Sequence, residues 1–262
     1  EQYYEGMLYN YNGTRSYVIS TGNLLGTANN REPSLVTNSS TTYSWVYNTG
    51  DNYDATNYGK LSELGISNAT EMGEYINNQY TEIVESIKKY GGFYVGRYET
   101  SLYTEQGANS TNGTVVKSVP NQTPMASVDW YKMYLSQDSK YEKNPYNKST
   151  SVSSSMIWGS QWDAMLNYIL EGTDKDKVTA ITGNHTGTRA STGQFGSDIM
   201  NNIFDLSSNV REWTVQANST LYRVARGGFY SIDNVYPASD RNDYYPTDTN
   251  NSVGSRLALY VK

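Results

Sequence analysis

The side chains that most often perform covalent or metal chemistry are scarce in this sequence. Cysteine is absent, and His185, in the run TGNHTGT, is the single histidine. Without thiols there is no thiolate nucleophile, disulfide, Cys-ligated zinc or iron–sulfur cluster. A His-dependent triad or His-based metal site would rest on His185 alone, and its Gly- and Thr-rich surroundings predict a surface loop. What remains is the chemistry of non-covalent contact. The chain holds 26 tyrosines against 4 phenylalanines, so its aromatic area is amphipathic, suited either to contact surfaces or to half-buried strands. Tyrosine is joined by Asn, Asp, Ser and Thr in the run from Phe229 to Ser255, FYSIDNVYPASDRNDYYPTDTNNSVGS. Antibody loops use this vocabulary, because Tyr gives large, rigid contact area at low entropic cost while small polar residues adapt their hydrogen bonds. Candidate ligand contacts are Tyr230, Ile232, Asp233, Asn234, Tyr236, Asp240, Asn242, Asp243, Tyr244 and Tyr245; the plainer alternative is an exposed loop with no partner. Pro237, Arg241, Pro246, Gly254 and Arg256 read as frame, setting turns or pairing internally.

These contacts need a scaffold. At 262 residues the chain can bury a full core, and the expected organisation is one main domain over 61–262, with a strand-and-loop segment 1–60 packed on it. A formal charge of −6 opposes a phosphate backbone, so nucleic acid is not an expected partner. No stretch approaches the roughly 20 apolar residues of a membrane span, and no membrane insertion is expected. Opening on Glu1 fits a trimmed or processed chain.

Met72, Ile76, Tyr80, Ile83, Val84 and Ile87 recur at helical spacing and predict a helix over 68–90, ended by Gly91-Gly92. Further helices are expected near 128–135 and 160–170, the latter striped by Trp162, Met165, Leu166 and Ile169. Strands are expected over 93–100, 210–215, 223–229 and 256–261. The interval 172–201 reads as a long Gly-, Thr- and Asn-rich loop, a length that usually has a functional or disorder explanation.

Three spaced motifs carry a resemblance. The segments Phe204-Asp205-Leu206-Ser207-Ser208-Asn209-Val210-Arg211-Glu212-Trp213-Thr214, Arg223-Val224-Ala225-Arg226-Gly227-Gly228 and Gly254-Ser255-Arg256-Leu257-Ala258 resemble, in order, the "LxGNVWEWT", "RVxRGGSW" and "GFRLA" motifs of the formylglycine-generating-enzyme (sulfatase-modifying factor) family. Upstream, 93–100, 127–131 and 160–164 are similar to the family's "FxIGRYEVT", "NVSWYDA" and "EAEWEYA". The resemblance covers about 92–262 and implies an α+β, C-type-lectin-like fold, with two or three helices packed on small twisted antiparallel sheets and much of the chain in loops. It places Trp130, Trp162 and Trp213 in the core. Enzymes of this family use paired thiols and copper; the corresponding positions fall near Ile232 and Pro237, so neither copper nor that activity is expected. The resemblance also implies a structural calcium site from Asp205, Glu212 and the backbone carbonyls near Ser208 and Val210, oxygen ligands of the kind Ca²⁺ takes. The alternative is a carboxylate pair meeting Arg211, Arg223 or Arg226.

Randomising the adenines of an AAC or AAT codon never yields Lys, Glu, Gln, Trp or Met, and 229–255 contains none of these. In this the chain resembles the variable proteins of diversity-generating retroelements. The expected function is therefore a non-catalytic display protein on a phage virion or bacterial cell surface, binding a protein or glycan ligand on a target cell. Competing readings are an enzyme of the formylglycine-generating family with altered chemistry, and an unvarying structural surface or phage component. A calcium-dependent lectin is disfavoured, since the EPN, QPD and WND triplets are absent.

Overall fold

In the computed structural model, residues 60–103, 115–217, 222–233 and 235–262 are described; the expected segment 1–60 lies outside them apart from Lys60. Helices form where the apolar periodicity is strongest. The first, α1, spans Ala69–Tyr90. Asn68 caps it by accepting the Glu71 amide at 3.0 Å, and the Glu71 carboxylate takes the Ser67 amide and hydroxyl in return, a reciprocal arrangement that satisfies groups the helix itself leaves open. Gly91, at φ 84°, ends it by donating to the Ile87 carbonyl, a left-handed closure that glycine adopts without steric cost. All six periodic apolar residues of α1 are buried. Helix α2 spans Trp130–Gln137, starting later than expected because Asp129 serves as its cap on the Lys132 amide; α3 spans Gly159–Leu170.

The strands are β1 (Tyr94–Val95), β2 (Thr100–Tyr103), β3 (Val115–Ser118), β4 (Val152–Met156), β5 (Ile199–Met200), β6 (Ile203–Phe204), β7 (Arg211–Ala217), β8 (Arg223–Arg226), β9 (Arg241–Tyr244), β10 (Val253–Ser255) and β11 (Leu257–Val261). One antiparallel sheet has the order β1-β11-β4, so the last strand sits in its centre, and a second has the order β10-β7-β8-β9. The antiparallel expectation fails at one place: β10 runs parallel to β7, with Val253 opposite Arg211 and Ser255 opposite Trp213. The chain between β7 and β10, which passes through β8 and β9, supplies the crossover that a parallel pair requires.

The single strand expected over 93–100 is two. After β1 the Gly96 amide bonds the Leu257 carbonyl, and a Cβ on Gly96 would stand 2.9 Å from the Ser118 hydroxyl. Ser118 Oγ then takes the Tyr98 amide at 3.0 Å and donates to the Tyr98 carbonyl at 2.8 Å, turning the chain towards β3. The strand expected to reach Phe229 stops at Arg226 because Gly227 has φ 79° and a Cβ on Gly228 would overlap the carbonyls of Ser207 and Tyr236.

Trp130, Trp158, Trp162 and Trp213 are fully buried. The first cluster joins α1, α2 and the β7 face around Trp130, Trp158 and Trp213; the second gathers around Trp162, Met165, Leu166 and Ile169 of α3. Trp130 and Trp162 bond the carbonyls of Thr214 and Ala238 through their indole N–H, which satisfies the one polar atom each ring brings inside. Among the described residues, three α-helices on small sheets with long connections make the α+β architecture that the C-type-lectin-like reading expects. No helix among the described residues is long and apolar enough to cross a membrane.

Candidate functional site

The run Phe229–Ser255 leaves β8 at Gly227, loops outward, returns as β9 against β8, and re-enters the core at β10. Within it, burial separates two kinds of residue. Ala238, Ser239, Arg241, Pro246 and the stretch Ser252–Ser255 are buried. The Pro237 carbonyl accepts the Asp240 amide, and that of Pro246 accepts the Trp130 amide at 2.9 Å, tying the loop to the start of α2. Facing out are Ile232, 65% exposed, and Tyr245, 44% exposed, with Asp233, Thr247, Thr249 and Asn251 also exposed and Tyr230 half-buried. Asn234 lies outside the described residues.

Several candidate contacts hold internal positions as well. Tyr244 packs edge-on against Trp213, ring centres 5.6 Å apart, and its hydroxyl accepts from Asn242; burial raises its pKa above the usual phenol value. Asn242 and Asp243 pair with Ala225 and Val224 across the β8–β9 ladder. Tyr236 stacks on Phe229, and the Arg211 guanidinium lies 4.2 Å from its ring centre. Asp240 is ion-paired to Arg211 at 2.5 Å. Sequence alone placed Asp240 among the ligand contacts, whereas in the fold its carboxylate neutralises a buried cation.

Beneath the surface lies a second constellation, the one from which calcium ligands were expected. Glu212 is buried, and both its carboxylate oxygens accept from Arg256 Nε at 3.1 and 3.0 Å, with Nη2 adding a bond of 2.6 Å. The carboxylate pairing therefore goes to Arg256 rather than to Arg211, Arg223 or Arg226. Asp205 Oδ2 accepts the Gly193 amide at 2.6 Å while its Oδ1 is buried without a hydrogen-bond partner. The Ser208 hydroxyl donates to Asp198, and the Val210 amide donates to Glu99 at 2.9 Å. Burial pushes Asp198 and Asp205 up to about 6 and Glu212 up to about 7, and holds Glu99 well above the ordinary carboxylate range; Arg256 draws Glu99, Asp205 and Glu212 back down in part.

Among the described residues no group of three or more His, Cys, Asp or Glu is arranged to hold a metal. A calcium ion using Glu212 would have to displace a guanidinium that already bonds both its oxygens. With Glu212 held by Arg256, EDTA is expected to leave the melting temperature unchanged, and calcium to leave it unchanged on re-addition; a rise of several degrees with calcium alone would support the calcium site.

No family model and no curated protein matches the chain. Among solved structures it is similar to Treponema denticola variable protein 1, with a TM-score of 0.43 and 13% identity, over 64% of this chain and 84% of that one. It is also similar to the crystal structure of CarF, with a TM-score of 0.42 and 14% identity, over 65% of this chain and 87% of that one.

Sequence reasoning missed the rim of the surface. The loop Thr182–Thr192 stands beside the run: the Gly187 amide bonds the Tyr230 carbonyl at 2.8 Å, Ile232 covers Gly187, and Arg189 reaches the Asn251 carbonyl. Asn184 anchors the loop by donating to Thr188 O and Asn209 Oδ1, and Asp198 secures its far end by accepting from Ser207, Ser208 and Thr182. His185 is half-buried in this loop, with Nε2 beside the Thr182 carbonyl. Tyr222, just before β8, extends the surface at the other end by packing its ring at a tilt against Tyr245, ring centres 4.7 Å apart. The one signal that pointed here was the unusual length of the 172–201 interval.

Proposed function

We propose that this chain is a non-catalytic ligand-binding protein whose run 229–255 is a surface diversified by a retroelement acting on adenines. The observation that carries the reading is the division of that run. Ile232, Asp233, Tyr245, Thr247, Thr249 and Asn251 are exposed, while Ala238, Ser239, Arg241, Pro246 and the stretch Ser252–Ser255 of the same run are buried in the frame. Such a surface can change its side chains while its backbone stays in place. The absence of Lys, Glu, Gln, Trp and Met from the same 229–255 interval supports the codon mechanism, and the absence of cysteine from the sequence leaves thiol oxidation without its reagent.

The ligand class is a protein or glycan on a target cell, met by a chain displayed on a phage virion or bacterial surface. With Asp240 neutralised by Arg211, the surface keeps Asp233, Asp243 and Asp248 as its acidic side chains, and charge complementarity favours a neutral or basic epitope. Sequencing the locus in sibling isolates tests the proposal. Changes restricted to adenine positions within the codons of 229–255, densest at the exposed residues, are the expected result. A run identical in all siblings, or one altered equally at every base, overturns it.

A further inference from the structure

Arg211 belongs to β7, outside the diversified run, yet it lies directly under it. Its side chain is 0% exposed. Nη1 donates to the Gly227 carbonyl at 2.8 Å and to Asp240 Oδ2 at 2.5 Å, while Nε and Nη2 are buried with no hydrogen-bond partner. The rings of Tyr236 and Phe229 stand 4.2 and 5.3 Å from the guanidinium carbon. A guanidinium does not shed its proton in a protein, so here it stays a cation and needs an anion. Asp240 supplies that anion, and at 18% exposure its side chain is the part of the pair that reaches solvent.

The backbone at 240 is held independently of the side chain. Its amide donates to the Pro237 carbonyl at 3.0 Å and its carbonyl accepts the Gly227 amide at 3.1 Å. Substitution at 240 therefore removes the carboxylate and leaves the chain path intact, opening a passage from solvent to a planar donor fork of carboxylate shape. We infer that Arg211 is a latent carboxylate-binding site, filled by Asp240 in this chain and open to a carboxylate of the ligand wherever residue 240 is short and neutral. The inference rests on the diversified-surface reading for its biological use, because an adenine-mutated Asn codon at 240 reaches Asp, Asn, Ser, Thr, Ala and Gly. Position 240 then switches ligand choice between neutral or basic and acidic groups without any change in the frame.

The test is anion rescue. The parent chain, Asp240→Ser and Asp240→Asn are melted in sodium acetate and in sodium chloride at equal ionic strength. Asp240→Ser is expected to melt below the parent in chloride and to gain on the order of 5 °C at acetate concentrations well above a millimolar Kd, with the parent indifferent to the anion. Asp240→Asn, which keeps the shape of the carboxylate, should gain less. Equal melting of Asp240→Ser in the two salts overturns the inference, as does failure of both variants to fold in either salt; recovery of folded protein only in acetate supports it. Adenine-limited variation at the locus bears on the diversified surface alone, so acetate rescue with an invariant locus keeps the anion site and removes the diversification, and the converse result does the opposite.

Discussion

Arg256→Met is expected to destabilise the fold by about 3–5 kcal/mol at pH 7.5, the range for stripping one partner from a buried ion pair. The guanidinium is fully buried and its donors are engaged on several elements: Glu212 of β7, the Gly96 carbonyl after β1 at 2.8 Å and the Phe204 carbonyl of β6 at 2.7 Å. Removing it leaves three carbonyl or carboxylate groups without their donor, and leaves Glu99, Asp205 and Glu212 without the cation that lowers their pKa values. Arg256→Lys should recover only a small part of the loss, since an ammonium cannot reproduce the planar fork. Urea unfolding of the three proteins reads the effect directly. A methionine variant within about 0.5 kcal/mol of the parent, the range of an ordinary surface change, would mean that the constellation does not hold the fold together.

The second large effect is on pH. The parent is expected to be more stable near pH 5.5 than near pH 8, opposite to the behaviour of proteins whose carboxylates are held low. Asp198 and Asp205 titrate at about 6 and Glu212 at about 7 in the folded chain, and Glu99 and Asp138 are also raised, all principally by burial. In the unfolded chain they titrate near 4. Between these values the folded state holds protons that the unfolded state has released, so the slope of unfolding free energy with pH is negative. The contribution is complete below about pH 4 and is lost as pH rises through about 6 to 7. Glu71 and Asp174, both on the surface, are lowered and oppose it only at the acid end. Melting temperature followed from pH 5 to 8 should fall throughout, and more steeply in Arg256→Met. A profile that rises or stays flat would show that these carboxyls are ionised in the folded chain at pH 5.

The helices were legible because each depends on a local pattern. Met72 through Ile87 declare one face of α1, and Gly91 declares its end. Trp130, Trp162 and Trp213 were legible as core through the motifs that contain them, whereas Trp158, equally buried, lies in none of those motifs. What escaped notice depends on partners distant in sequence. Arg256 is 44 residues from Glu212, and nothing local distinguishes it from Arg211, Arg223 or Arg226 as the mate of that carboxylate. Strand β9 reads Arg-Asn-Asp-Tyr, a poor strand by propensity, and it forms because β8 offers it an edge. Asp240 looked like the other polar residues of its run, since the cation that claims it belongs to β7. The 172–201 interval looked structureless because the groups that order it, Asp198 and Asn184, reach Ser207, Ser208 and Asn209 beyond it as well as partners within it.

The central position of β11 bears on how this protein is made. The residues that complete the β1-β11-β4 sheet come after the run 229–255, and so does Arg256, which ties that sheet to β6 and β7. A polypeptide that stops within the run lacks both, and leaves the β1-β11-β4 sheet without its central strand and Glu212 without its guanidinium. The order of the strands thus makes closure of this sheet depend on a segment that follows the run, so the fold is complete only once β11 has been added.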